Sequence, residues 1–265
     1  MDKKIEECIN ILISLEPIFK RAGKLALEMR QTAASRYKLD TGIHGIDIVT
    51  EADLAVQEAI LSEMAKTKLI ECRLIAEEDT PSAKLFRGIN GLILTLDPID
   101  GTFIYAADGR LFSVIVCLND GQQPLYTFCH YPVVDWTRRI ARDTVSDFGI
   151  RPRVNVKEGL DLSRTIAHTF GEPEKTAGDI YNRLINEGYQ FRLLPEITLD
   201  SGSCTLFFLG QVAGYYTQNP GAYDGICTWH YGRVKKSRMF GELDISKAID
   251  GPHGPYYPGW YIVLY

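Results

Sequence analysis

Asp97 and Asp100 stand three residues apart at the end of an apolar run, Leu92 to Leu96, with Pro98 between them and Gly101 and Thr102 after. Acids delivered by an apolar strand suit a hard divalent cation, because Mg²⁺ takes oxygen ligands and is held through one or two carboxylates plus substrate phosphate. Pro98 fixes one φ angle, and Gly101 lets the backbone approach a ligand closely or adopt a positive φ. Thr102 offers a hydroxyl and a backbone N–H at a helix start, where phosphate can be received. Taken alone, Asp-Pro-x-Asp-Gly is equally ordinary turn chemistry. It does not stand alone. A second short strand, Arg73 to Ala76, runs into Glu77, Glu78 and Asp79. Like charges at several strand ends repel unless a cation lies between them.

The elements that must position these acids are legible as patterns. Residues 3–33 read as a long amphipathic helix with Pro17 inside it, because apolar residues recur at spacings of three and four. A polar loop or loose hairpin from Ser35 to Gly45 carries Lys38. It reads as a solvated lysine, with placement beside an anionic site as the alternative. Thr50 is positioned to cap a helix of about Asp53 to Lys66, and Asp53 is then an ordinary first-turn acid. Strands are expected at Phe112 to Leu118, Pro124 to Tyr131 (after the Asn119-Asp-Gly121 turn) and Trp136 to Ala141. Gly149 to Gly159 reads as a junction between an N-terminal half, residues 1–150, and a C-terminal half, residues 151–265. Beyond it come strands at Arg164 to Thr169 and Gln190 to Leu194, and helices at Lys175 to Asn186 and from Ser203 through Ala213. The short strand Tyr215-Tyr216, a helix opened by Asp224 and a last strand, Tyr261 to Leu264, complete the chain.

A chain of 265 residues can bury a large core. A net charge of −5 and two short basic clusters leave no field for nucleic-acid polymer or anionic membrane. Six dispersed cysteines without a C-x-x-C pair read as reduced, buried thiols. The charged start and the lack of any apolar run near ~20 residues are those expected of a cytoplasmic protein.

Asp47-x-Val-Thr-x-x-Asp53, Ala-Glu77-Glu78, Leu-Asp97-Pro-Ile-Asp100-Gly-Thr102 and Tyr-Asp224 occur in one order. Together they resemble the inositol monophosphatase family of Mg²⁺-dependent, lithium-sensitive phosphatases, a superfamily that includes fructose-1,6-bisphosphatases and bisphosphate nucleotidases. The resemblance implies an α+β fold, layered α/β/α/β/α, of two packed halves. It implies a first metal held by Glu77, Asp97 and the carbonyl of Ile99, and a second held by Asp97, Asp100 and Asp224. The cofactor is then Mg²⁺, two or three ions. Gly101 and Thr102 match the phosphate-binding turn. Thr102, with Asp53 behind it and Glu77 beside it, matches the catalytic group that orients the water. Ser203 and Cys204 fall where family members contact substrate.

These matches predict hydrolysis of a small phosphate monoester: an inositol phosphate, a sugar phosphate or a nucleotide 3′-phosphate. Uncatalysed, such reactions are so slow that the enzyme must supply up to ~20 orders of magnitude. Metal ions ~3.5–4 Å apart supply much of it by activating water and clamping both oxygens. A non-catalytic protein that binds a phosphorylated ligand is the alternative, motivated by departures at the rim. Phe103-Ile-Tyr105 follows Thr102, and Tyr215 to Ala222 lacks the acid that inositol-type members set against substrate hydroxyls. A tyrosine rim (Tyr105, Tyr215, Tyr216, Tyr223) is read either as a stacking surface or as ordinary core aromatics. Family members occur as monomers and as homodimers, so either state is compatible.

Overall fold

In the computed structural model, burial along one strand shows how the molecule is layered. In Ile93–Asp100, Leu94 and Leu96 face one core while Ile93 faces another, as the two-residue period of a strand requires. The structure describes residues 3–30, 35–37, 48–251 and 254–265, so Lys38 and Asp47 lie outside the described residues.

The chain begins with helix α1 (Lys3–Met29), the expected stretch 31–33 lying outside the described residues, and passes through the antiparallel pair β1 (Ser35–Tyr37) and β2 (Ile48–Thr50) to α2 (Glu51–Met64). Strands β3 (Arg73–Ala76) and β4 (Ile93–Asp100) follow, then the one-turn helix α3 (Thr102–Ala106). A meander of β5 (Ser113–Asn119), β6 (Pro124–Tyr131), β7 (Trp136–Ala141) and β8 (Thr144–Phe148) completes a six-stranded sheet in chain order. Its β3–β4 pair is parallel and the remaining pairs are antiparallel.

Residues 149–161 carry no helix or strand. Beyond them run β9 (Thr165–His168), α4 (Pro173–Thr176), α5 (Gly178–Asn186), β10 (Gln190–Leu193), α6 (Leu194–Ile197), α7 (Ser203–Phe208), β11 (Gly214–Gln218) and α8 (Ile226–Lys235). The chain closes with β12 (Arg238–Leu243), the hairpin of β13 (Ile249–Gly251) and β14 (Gly254–Tyr256), and β15 (Gly259–Leu264). The five-stranded sheet has the order β10-β9-β11-β15-β12, parallel across β10-β9-β11 and antiparallel beyond.

Three cores tie these pieces into five layers. Leu12 and Phe19 of α1 and Val56 and Ile60 of α2 pack on Leu94, Leu96, Val114 and Val116, one face of the six-stranded sheet. The opposite face, with Ile93, Ile115 and Cys117, shares a core with Leu206 and Phe207 of α7, Ile226 and Tyr231 of α8, and Tyr261 and Val263 of β15. Ala177 and Leu184 close the outer face of the five-stranded sheet over Ile166, Tyr216 and Ile262. The order is helices, sheet, helices, sheet, helices: the layered α/β/α/β/α arrangement expected. A single run from Lys175 to Asn186 is replaced by two helices parted at Ala177, with Gly178 opening the second at a φ of +45°. The α7 helix stops at Phe208 rather than continuing to Ala213, and β12 to β14 have no counterpart among the expected elements.

Candidate active site

Asp97 and Asp100 are an odd number of residues apart, so a regular strand would point them to opposite faces. A bulge prevents this. Asp97 pairs with Ile115 and Asp100 with Ser113, so Pro98 and Ile99 together oppose Val114. The extra residue reverses the alternation, which is what a β-bulge does, and proline is tolerated at such a position. Ile99 accordingly turns into the core under α1 and α2. Both aspartates project into the middle layer, where the Ser113 hydroxyl donates to Asp100 Oδ2 at 2.8 Å.

Three further elements bring acids to the same place. The parallel register sets Ala76 beside Leu96, and the next residue, Glu77, donates its backbone N–H to Leu96 O at 3.3 Å. Helix α2 supplies Asp53 from its first turn, 1% exposed. Asp224 arrives from the C-terminal part, two residues before α8 starts at Ile226 rather than inside the helix. Ligand atoms of Asp97, Asp100 and Asp224 lie within 4.8 Å of one another. Glu77 and Asp53 stand outside that triad, and both act on it electrostatically.

Burial holds Asp97 well above the usual carboxylate range, and Glu77, Asp100, Asp224 and Asp53 add to the effect. Asp224 is raised by burial, then by Asp100 and Glu77. Asp100 is pushed up to about 6 by burial, against the Ser113 hydrogen bond and reinforced by Glu77. Asp97 is 4% exposed, and its Oδ1 has no hydrogen-bond partner among the described residues. A buried acceptor without a donor costs free energy, and crowded carboxylates cost more. A divalent cation removes both costs, and the all-oxygen donor set fits Mg²⁺.

The turn after the acids is held from behind. Gly101 precedes α3 with φ +83°, a conformation that favours glycine. The Thr102 hydroxyl donates to Ile99 O at 3.1 Å, the carbonyl expected as a metal ligand. Tyr105 is buried, its hydroxyl donating to Ala26 O at 2.8 Å and its ring edge-on to Phe112. The Arg30 guanidinium lies over both rings and pairs with Asp108 at 2.8 Å. Tyr105 therefore anchors α3 to α1, and Tyr216 is likewise buried, against His168 and Phe191. These two leave the expected tyrosine rim. Tyr215 and Tyr223 are half-buried, and Glu77, Asp224 and Asp97 join burial in raising Tyr223.

Ser203 is buried and exchanges a 2.7 Å hydrogen bond with the Thr169 hydroxyl. Cys204 is half-buried, with its Sγ 3.9 Å from Asp100 Oδ2. Two supporting residues escape sequence reasoning. Ser113 is one. The other is Gln57, fully buried four residues after Asp53 and so on the same face of α2. Its Oε1 accepts the Glu78 N–H at 2.9 Å, and its Nε2 donates to Glu78 O and to Thr80 Oγ1. A helical glutamine is usually solvated, so its spacing from Asp53 was the one available signal.

Comparison with known proteins bears on the fold and the family. An inositol monophosphatase of Dictyostelium discoideum is 31% identical over 90 residues, 34% of this chain and 32% of that protein, so the match spans about a third of the relative's length. A Thermotoga maritima IMPase superposes with a TM-score of 0.63 over 96% of this chain and 91% of that one, at 18% identity. An IMPase/NADP phosphatase complexed with Mg²⁺ and phosphate gives a TM-score of 0.63 over 99% and 92% of the two chains, also at 18% identity. Such likeness shows a shared fold. The model of the inositol monophosphatase family matches residues 10–192, and the chain belongs to that family.

Proposed function

We propose that the protein is a Mg²⁺-dependent phosphatase that hydrolyses a small phosphate monoester. The observation that carries this reading is the carboxylate triad of Asp97, Asp100 and Asp224, with a buried Asp97 oxygen that has no donor among the described residues. Mg²⁺ held there, with Glu77 and Ile99 O as further ligands, would neutralise phosphate charge and lower the pKa of the attacking water. The chain's own groups do the remaining work. Backbone N–H groups at Gly101 and Thr102 bind phosphate oxygens at the start of α3. Asp53 and Glu77 accept protons from the water, and the Thr102 hydroxyl fixes its direction. Phosphoryl transfer needs positioning and charge neutralisation rather than a covalent nucleophile. Ser203 and Cys204, at the start of α7 with Cys204 touching Asp100, bound the site on the substrate side.

The test is phosphate release, with Mg²⁺ and with EDTA, from inositol 1-phosphate, fructose 1,6-bisphosphate, 3′-phosphoadenosine 5′-phosphate and NADP. The last is included because one similar structure is of an IMPase/NADP phosphatase. Turnover that EDTA abolishes supports the reading. Saturable binding of these compounds with no phosphate released would favour a non-catalytic ligand-binding protein.

A further inference from the structure

The triad has a neighbour of different chemistry. Cys204, at the start of α7, places its Sγ 3.9 Å from Asp100 Oδ2. It is half-buried, while the other five cysteines are buried. Cys227 of α8, three residues after Asp224, joins burial in raising the Cys204 thiol. Sulfur therefore touches the triad at Asp100, whose own ligand oxygen lies within 4.8 Å of those of Asp97 and Asp224.

Magnesium and thiolate sulfur do not match, whereas zinc-like divalent ions accept sulfur, nitrogen and oxygen together. Around a tetrahedral ion with Zn–S ~2.3 Å and Zn–O ~2.0–2.2 Å, sulfur and oxygen ligands lie about 3.5 Å apart. The 3.9 Å between Cys204 Sγ and Asp100 Oδ2 is within a small side-chain adjustment of that spacing.

We infer that this site also takes a thiophilic divalent cation, of the Zn²⁺, Co²⁺ or Cd²⁺ class, with Cys204 Sγ as a ligand beside Asp100 and in competition with Mg²⁺. The inference rests on the carboxylate triad being a metal site. As the metal–sulfur bond forms, the thiol proton leaves to solvent, so binding releases one proton at this ligand. Cys204 then determines which cations the site accepts.

Cobalt reads this directly. Metal-free full-length protein is titrated with Co²⁺, and the absorbance is followed for a sulfur-to-cobalt charge-transfer band. The expected result is a saturating band of one Co²⁺ per chain that Mg²⁺ reverses. The band should vanish in Cys204→Ala and in the more conservative Cys204→Ser, with Co²⁺ affinity relative to Mg²⁺ falling at least tenfold in the alanine variant. Asp100→Asn should weaken Co²⁺ by a similar factor. The inference is overturned by Co²⁺ binding without a band, by no Co²⁺ binding, or by a band that survives Cys204→Ala. Phosphate release with Mg²⁺ is measured separately. Release without a cobalt band removes this inference alone, and a band without release removes the phosphatase reading alone.

Discussion

Asp97 sits where burial and four neighbouring acids all disfavour its charge, so its carboxylate opposes folding until a cation is bound. Asp97→Asn is expected to lower kcat by about 10³-fold or more, in line with losing a group central to charge stabilisation. The same substitution should raise the melting temperature of metal-free protein by several degrees, since relieving 1–2 kcal/mol of repulsion moves a domain of this size by roughly 2–4 °C per kcal/mol. Kinetic assay and thermal unfolding in EDTA check the pair of effects, and full activity in the variant would remove Asp97 from the mechanism. Asp100 sets the pH dependence. Its folded-state pKa of about 6 lies above the ordinary carboxylate value, so folding takes up a proton between the two. That contribution to metal-free stability is present in acid and lost as pH rises through about 6. Mg²⁺ competes with the same proton, so its affinity is expected to weaken as pH falls below about 6, by up to tenfold per unit for each proton displaced. Isothermal titration at pH 7.5, 6.0 and 5.0 gives the slope.

At the scale of elements, the site is a consequence of one bulge and one clamp. Pro98 and Ile99 reverse the alternation of β4, and Gln57 holds the end of β3 against α2. Gln57→Leu would leave the Glu78 N–H without its acceptor and bury an apolar group in its place. A loss of about 2–3 kcal/mol is expected, together with weaker Mg²⁺ binding, because the turn carrying Glu77 loosens. Chemical denaturation with and without Mg²⁺ separates the two. Gly101→Ala would hold a Cβ at φ +83° and set it 3.2 Å from Ile104 Cδ1, so about 1–2 kcal/mol of strain and a reduced kcat are expected. Much of this scale was legible in the sequence. The acids at the ends of β3 and β4 could be read because strand patterns followed at once by carboxylates have few core uses. The bulge could not, since nothing in Asp-Pro-Ile-Asp-Gly distinguishes a turn from a strand that continues to Asp100. The role of Tyr105 was equally hidden, because only tertiary contact with Ala26 and Arg30 separates a rim aromatic from an anchor. The separation of α4 from α5 was missed because Gly178 interrupts an otherwise continuous helical pattern.

For the whole molecule, sensitivity to acid is built into both faces of the six-stranded sheet. His230 of α8 is buried in the middle layer and His130 of β6 beneath α1, each exchanging a 2.9 Å hydrogen bond with a threonine hydroxyl, Thr127 and Thr137 respectively. Burial pushes His230 down to about 3 and His130 down to about 4. Both lie below the ordinary histidine value, so the unfolded chain binds these protons first. The stability from keeping the rings neutral is complete above about pH 6.5 and is lost as pH falls toward 4. Each histidine is expected to cost about 2–3 kcal/mol between pH 6.5 and 4.5 at ~1.4 kcal/mol per unit. Melting curves across that range should be steeper for wild type than for His230→Gln, and parallel curves would exclude the histidine as a source. Among the described residues no helix is long and apolar enough to cross a membrane.

Asp97 and Asp224 come from distant parts of the sequence, one from a strand of the six-stranded sheet and one from the turn into a middle-layer helix, yet their oxygens converge. A bound ion is therefore a removable crosslink. Like a disulfide that closes a long loop, it restricts a large intervening length of chain, but chelation can switch the restraint off. Proteases should thus report on the site. In EDTA, the connecting stretch near Arg151 and Arg153 is expected to be cut faster than in Mg²⁺, even though it lies outside the cluster of acids.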